Sequence, residues 1–171
     1  MKRRRILLAD DCPSALEDIR KILAPHYEIV ETVADGLALV EAALRLTPDL
    51  IIADITMPHV SGIDAARQIK RSLPGIKLLF VTMHTDTAYI EAALEAGGTG
   101  YVLKSGIREE LFEAAQSILK GCIYVSPSLS TEHLVRFQDP ATIDPRTARI
   151  LANPALLSET VVKRVKRRKS A

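Results

Sequence analysis

The chain has no tryptophan and only two cysteines among its 171 residues. Cys12 and Cys122 stand far apart and form no metal or redox motif, so reduced, incidental thiols are expected and a disulfide-held scaffold is excluded. No apolar run approaches the roughly 20 residues that cross a bilayer as a helix. The start, Met1-Lys2-Arg3-Arg4-Arg5, mimics the charged end of a signal peptide. Only Ile6-Leu7-Leu8-Ala9 follows before Asp10-Asp11, too short for the apolar segment of such a peptide, and a cytoplasmic protein with no membrane partner is expected. A glycine-rich phosphate loop is also missing. The first apolar run leads into Asp10-Asp11-Cys12-Pro13-Ser14, and the glycines of Gly97-Gly98-Thr99-Gly100 come at a helix end, which argues against a nucleotide-binding Rossmann enzyme.

What is present is a soluble composition, 47% apolar and 26% charged, and enough length for one domain plus a short appendage. Charge is unevenly spread. Residues 131–171 hold nine Lys/Arg against four Asp/Glu, while the rest is mildly acidic, so two parts with different tasks are expected.

The first 125 residues alternate between two patterns. Short apolar runs occur at Ile6–Ala9, Leu50–Ala53, Leu78–Val81 and Tyr101–Leu103, with a more mixed run at 27–33. Between them, apolar residues recur at helical spacing: Leu16, Ile19 and Leu23; Leu37, Val40 and Leu44; Ile63, Ala66, Ile69 and Leu73; Ile90 and Leu94; Leu111, Ala115, Ile118 and Leu119. Pro13 suits a first helical turn, Ser61 and Asp64 suit a capped helix start, and Pro74-Gly75 and Gly97-Gly98 suit helix ends. A strand followed by a helix, five times over, predicts an α/β protein with a doubly wound parallel sheet covered on both faces. The continuous apolar runs fit central strands, and the mixed run fits an edge. After Val125 the pattern stops. Four prolines punctuate residues 127–154, short helices are expected at 129–137, 146–151 and 155–165, and the sequence ends in a basic run, Lys163 to Lys169. No aromatic residue interleaves that run, which weakens a stacking role on single-stranded nucleic acid.

In a sheet of this kind ligands gather beyond the carboxyl ends of the strands. The residues that follow or end the runs there are Asp10-Asp11, Asp54, Thr82 and Lys104. Three carboxylates repel one another and need a cation. An oxygen-only donor set favours Mg²⁺, which keeps several waters and often binds a phosphate oxygen as well. Lys104 offers a compact positive charge and Thr82 a hydroxyl donor, so the set suits a phosphoryl group. A carboxylate can attack phosphorus and form an acyl phosphate; Asp54 is the candidate, while the adjacent Asp10 and Asp11 suit metal ligation. Taken singly each residue has an ordinary explanation: Asp11 caps a helix, Thr82 ends a strand, Lys104 is a solvated charge. Their joint placement at four strand ends is what favours a site. A magnesium-dependent phosphatase with an aspartyl nucleophile usually carries Asp-x-Asp after the first strand; here the residues are Asp10-Asp11-Cys12, and that scheme leaves Asp54 unexplained.

Asp10-Asp11, Asp54 with Met57-Pro58 and Gly62, Thr82, Tyr101 and Lys104 resemble the receiver domain of two-component response regulators. The stretches VTMHTD (81–86), EAGGTGYVLKSG (95–106) and REELFEAAQSILKG (108–121) are similar to the NarL-like branch, whose members usually carry a LuxR-type DNA-binding domain. The resemblance implies a (βα)5 flavodoxin- or CheY-like sheet of order 2-1-3-4-5 in a receiver domain at 4–122. Residues 123–171 are then a linker and a short helical or disordered basic tail, or a truncated or altered output domain. A histidine kinase partner would phosphorylate Asp54. Mg²⁺ would be held by Asp10, Asp11, Asp54 and the carbonyl of Thr56. Lys104 and Thr82 would contact the phosphate, and Thr82 and Tyr101 would switch with it. Thr56 and His84 occupy places that tune phosphoryl lifetime in this family; His84 is otherwise expected as a partly exposed loop residue with no catalytic role. Ser105 stands where many receivers have proline. The chain would act on itself only, dimerise on phosphorylation and regulate transcription or a protein partner. Residues 127–171 lack the opening pattern of a LuxR-type helix-turn-helix, so DNA binding by the basic run is an open expectation beside a stand-alone receiver.

Overall fold

Strands whose residues are buried on both sides make the centre of the molecule. The computed structural model describes residues 2–126 of the chain. In chain order the elements are β1 (Arg5–Ala9), α1 (Pro13–Leu23), β2 (Glu28–Val33), α2 (Gly36–Leu46), β3 (Leu50–Ala53), α3 (Gly62–Ser72), β4 (Lys77–Thr82), α4 (Thr87–Glu95), β5 (Gly100–Leu103), α5 (Ile107–Leu119) and β6 (Tyr124–Val125). The strands form one parallel sheet of order β2-β1-β3-β4-β5-β6. The five-strand order implied by the sequence is present, with a sixth strand added beyond β5.

Side chains alternate across the sheet with period two. Leu7, Ala9, Ile51, Ala53, Leu78, Phe80, Tyr101 and Leu103 join the core on the side of α2, α3 and α4. Ile6, Leu8, Leu50, Ile52, Leu79, Val81 and Val102 join the core against α1 and α5. Each fully buried Leu or Ile contributes about 1.5–3 kcal/mol, which is why Leu50-Ile51-Ile52-Ala53 carries no polar residue. The mixed run is the edge strand β2, where no residue is fully buried. Ser61 caps α3 as expected: its Oγ accepts from the Asp64 N–H at 3.1 Å and donates to Asp64 Oδ2 at 2.8 Å. Asp11 does not cap α1; the N-cap residue is Cys12, with no side-chain cap.

Two expectations need correction. On α2 the inward residues are Leu39, Ala42 and Ala43, while Leu37 and Leu44 are 52% and 44% exposed. The helix is apolar around most of its circumference, so helical spacing alone does not select the buried face. At the other end, residues placed with the linker belong to the sheet: β6 pairs with β5, Ser126 N–H donates to the Tyr101 carbonyl at 2.8 Å, and Ser126 Oγ accepts from Leu103 N–H at 3.0 Å and donates to Glu110 Oε2. A two-residue strand is too short to show periodicity. The helices expected at 129–137, 146–151 and 155–165, and the basic run, lie outside the described residues.

The arginines at the start serve the amino ends of the strands. Arg3 Nη2 donates to the Pro25 carbonyl at 2.7 Å, and Arg5 Nη1 to the Leu46 carbonyl at the end of α2 at 2.7 Å. Lys77 Nζ donates to the Leu119 carbonyl at 2.6 Å. These cations satisfy carbonyls that a helix end leaves unpaired and oppose its negative pole. Asp49 ties β1 into this network by accepting from Arg5 N–H and Arg4 Nη1, both at 2.8 Å.

The partial burial of Asp49 opposes ionisation, but the hydrogen bonds and charges of Arg5 and Arg4 outweigh it and hold the carboxyl below its ordinary value of 3.8. A depressed folded-state pKa means stability that is present above the unfolded value and lost as pH falls through the folded one. Asp49→Ala is expected to cost about 1–2 kcal/mol at neutral pH, the worth of hydrogen bonds to one charged group. The gap between parent and variant should close as pH falls below 3.8, measured by urea unfolding across the acid range.

Candidate functional site

All six strands point the same way, so their carboxyl ends share one rim. Asp10 follows β1, and its N–H donates to the Val33 carbonyl at 3.1 Å; Asp54 follows β3, and its N–H donates to the Ala9 carbonyl at 2.9 Å. These bonds continue the sheet by one residue and bring the two carboxylates together. Asp10 is 1% exposed and Asp54 8%. Asp10 Oδ1 accepts from the Cys12 N–H at 2.9 Å. Asp54 Oδ1 accepts from the Ile55 N–H at 2.6 Å and, more weakly, from the Thr56 N–H at 3.4 Å.

Lys104 reaches in from the end of β5, where Lys104–Gly106 makes a single 3-10 turn. Its Nζ lies 2.7 Å from Asp54 Oδ2 and 2.6 Å from Asp10 Oδ2. The second contact is a close ion pair rather than an aligned hydrogen bond, and Asp10 Oδ2 has no other polar partner among the described residues. Burial pushes the Asp10 carboxyl above its ordinary range against the pull of Lys104 and the Cys12 N–H. Burial also disfavours a charged lysine, but the two carboxylates more than offset it, and Lys104 is held above its ordinary value, protonated. The peptide between Lys104 and Ser105 is trans, as are all those described.

The loop after β3 is folded tightly enough to dictate its glycine. Gly62 N–H donates to the Ile55 carbonyl at 2.8 Å. A Cβ on Gly62 would lie 1.9 Å from the Asp54 carbonyl oxygen, so no other residue fits without moving the Asp54 backbone. Within the same loop Val60 N–H donates to the Pro58 carbonyl at 2.7 Å, and His59 takes φ 64°.

Thr82 is fully buried, and its Oγ1 accepts from the His84 N–H at 3.3 Å. Tyr101 is also fully buried and donates its hydroxyl to the His84 carbonyl at 2.9 Å. Burial, followed by the charge of Asp54, pushes that phenol far above its ordinary range, so it remains a donor. Tyr101, one of the two residues expected to switch with the phosphate, is turned inward here. Thr56 is exposed, and its Oγ1 shares a 2.7 Å hydrogen bond with His84 Nε2.

The resemblance places His84 beside Thr56 among positions that tune phosphoryl lifetime, with no catalytic role; the structure adds its contacts with Thr56, Thr82 and Tyr101. A histidine two residues beyond a strand end carries no local signal of such contacts.

Asp10, Asp11 and Asp54 each offer a carboxylate oxygen, and these lie within 4.8 Å of one another. Three carboxyl groups face the ammonium group of Lys104. A divalent cation would offset their excess of negative charge, and an oxygen-only set with an exposed member suits Mg²⁺, which retains waters. The buried Asp10 Oδ2, with one ion-pair partner, has room for that role. The residues therefore fit the ion that the sequence implied.

The pattern of the response regulator receiver domain family matches residues 6–116. The transcriptional regulatory protein DegU of Brevibacillus brevis is 34% identical over 134 residues, covering 77% of this chain and 56% of that protein. The oxygen regulatory protein NreC of Staphylococcus carnosus (strain TM300) is 32% identical over 136 residues, covering 78% of this chain and 63% of that protein. The chain thus spans little more than half the length of these relatives. Among solved structures, a LuxR-family two-component response regulator from Aurantimonas sp. SI85-9A1 superposes with a TM-score of 0.74 at 34% identity, covering 79% of this chain and 98% of that one. Among the described residues no helix is long and apolar enough to cross a membrane.

Mg²⁺ is expected to raise the thermal unfolding midpoint of the parent by preferential binding to the folded state. Asp11→Asn should weaken the ion's affinity by at least about tenfold and shift the Mg²⁺ titration of the midpoint to correspondingly higher concentration.

Proposed function

The chain belongs to the response regulator receiver domain family of two-component signalling, in its LuxR/NarL branch, and from that premise we propose that Asp54 is the acceptor of a phosphoryl group from a histidine kinase. One observation carries this reading. A carboxylate at the end of a central strand lies 2.7 Å from a protonated lysine, inside a cluster of three aspartates.

A carboxylate oxygen of Asp54 forms the new bond to phosphorus as the phosphorus–nitrogen bond of the phosphohistidine breaks. The electron pair of that bond returns to the imidazole, and the product is an aspartyl phosphate. The chain's own residues prepare the site. Gly62 lets the loop fold back on Asp54, the Ile55 N–H orients the carboxylate, and Lys104 offers positive charge to the arriving phosphate. A divalent cation held by Asp10, Asp11, Asp54 and the Thr56 carbonyl would supply further charge neutralisation for the transferring group. Thr82 contacts the phosphoryl group when its hydroxyl turns away from the His84 N–H, and Tyr101, already inward, keeps its bond to the His84 carbonyl.

Hydrolysis of the aspartyl phosphate is the only turnover this site performs, on its own Asp54. The phosphorylated receiver, residues 4–122 with β6 appended, signals through self-association and through the segment that follows it. Its output is regulation of transcription, by direct DNA contact or through a protein partner.

With acetyl phosphate and Mg²⁺, the intact parent should gain one phosphoryl group by mass spectrometry, and Asp54→Asn should gain none. Uptake by the variant equal to the parent's would place the acceptor elsewhere. Beryllofluoride, a phosphoryl mimic, should raise the parent's sedimentation coefficient and leave Asp54→Asn unchanged.

A further inference from the structure

His84 is held from four directions. Its N–H donates to Thr82 Oγ1 at 3.3 Å, and its carbonyl accepts from the Tyr101 hydroxyl at 2.9 Å. Its Nε2 shares the 2.7 Å bond with Thr56 Oγ1. Its ring lies on that of Tyr89, with centroids 3.9 Å apart and planes 19° from parallel. A histidine in a strand-to-helix loop is ordinarily free to rotate in solvent. Here the backbone is pinned by two buried residues and the imidazole by two contacts of different kinds.

The position of these contacts gives them meaning. Thr56 belongs to the loop that leaves β3, and its own N–H approaches Asp54 Oδ1. His84 belongs to the loop that leaves β4, and β3 and β4 are neighbours in the sheet. The hydrogen bond therefore joins two loops across the rim beside Asp54. Tyr89, in the first turn of α4, covers one face of the imidazole and is itself 38% exposed. Removing the Tyr89 ring would leave the imidazole held by one hydrogen bond to an exposed hydroxyl, which water can replace. An aromatic contact supplies the orientation that such a bond alone does not.

We infer that Tyr89 is a positioning residue of the phosphoryl site: through its stack on His84 it keeps the Thr56–His84 bridge closed and so limits the access of water to the aspartyl phosphate. The inference rests on Asp54 as acceptor and specifies how long the phosphorylated state lasts. In the step it controls, the oxygen of water bonds to phosphorus and the bond between phosphorus and the Asp54 oxygen breaks. That electron pair restores the carboxylate; one proton of the water stays on the new P–OH and the other passes to a second oxygen of the released phosphate. Tyr89 touches none of these atoms and acts only through His84.

The test uses the full chain as parent, Tyr89→Ala, Tyr89→Phe, His84→Ala and the double variant Tyr89→Ala/His84→Ala. Each is labelled with acetyl phosphate and Mg²⁺, freed of donor, and followed for loss of the phosphoryl group. The imidazole Hε1 resonance of His84, shifted by the Tyr89 ring current, is read separately without phosphate. Tyr89→Ala should lose the group about two- to tenfold faster than the parent, the ratio corresponding to one aromatic contact, and should lose the ring-current shift. Tyr89→Phe keeps the ring and should restore both the parent's rate and the shift. The double variant should decay no faster than His84→Ala, because the two residues act as one unit.

A parent that takes up phosphate, with Tyr89→Ala decaying at the parent's rate, would overturn the inference and leave Asp54 as acceptor. Additive effects in the double variant would overturn it equally. A parent that takes up no phosphate would instead remove the Asp54 reading, and the inference with it.

Discussion

One ammonium group shared by two buried carboxylates organises this protein. Asp10 and Asp54 are drawn together by backbone bonds that continue the sheet, and without a cation between them they would repel at close range. Lys104 supplies that cation from the end of β5, with contacts of 2.6 and 2.7 Å. The pair of contacts couples three strands, β1, β3 and β5, at their carboxyl ends. Anything that draws Lys104 away must compensate two buried charges at once, and a phosphoryl group accompanied by a divalent cation has the charges to do so.

The fold makes this possible by polarity. Parallel strands place every carboxyl end on one rim and every amino end on the other. The amino rim is stabilised by cations that bond helix carbonyls: Arg3, Arg5 and Lys77. The opposite rim collects carboxylates, hydroxyls and Lys104. Between the rims, both faces of β1, β3, β4 and β5 are covered by helices, so the carboxylates and the lysine at the rim are mounted on strands with little freedom to shift. The loops after β3 and β4 are tied together by the Thr56–His84 bond. On the far side, Ser126 bonds to the backbone of Tyr101 and Leu103. Ser126, at the end of β6, is thereby fixed beside β5, the strand that carries Tyr101 and leads into Lys104.

Much of this was open to reading from the sequence. Continuous apolar runs mark strands buried on two faces, and a polar residue closing such a run stands at the rim; both are local properties, visible within a few residues. That logic placed Asp10, Asp11, Asp54, Thr82 and Lys104 together, and the structure has Lys104 contacting two of the aspartates and all three aspartates within reach of one ion. It failed on α2, where apolar residues surround the helix and the period cannot choose between Leu37 and Leu39. It failed again on Tyr124–Val125, too short a strand to leave a pattern.

By itself the sequence determined the alternation of strand and helix, the rim on which the chemistry gathers and the residue types that gather there. Tertiary structure alone decided that Lys104 spans two carboxylates, one of them 50 residues away, and that Thr56 and His84, 28 residues apart, close the rim between them. It also decided that Tyr89 backs His84 and that Ser126 locks onto β5. The physical reason is separation along the chain. Periodicity records which side of its own element a residue faces, whereas these contacts join side chains on different elements and exist only once the sheet has set the distance between them.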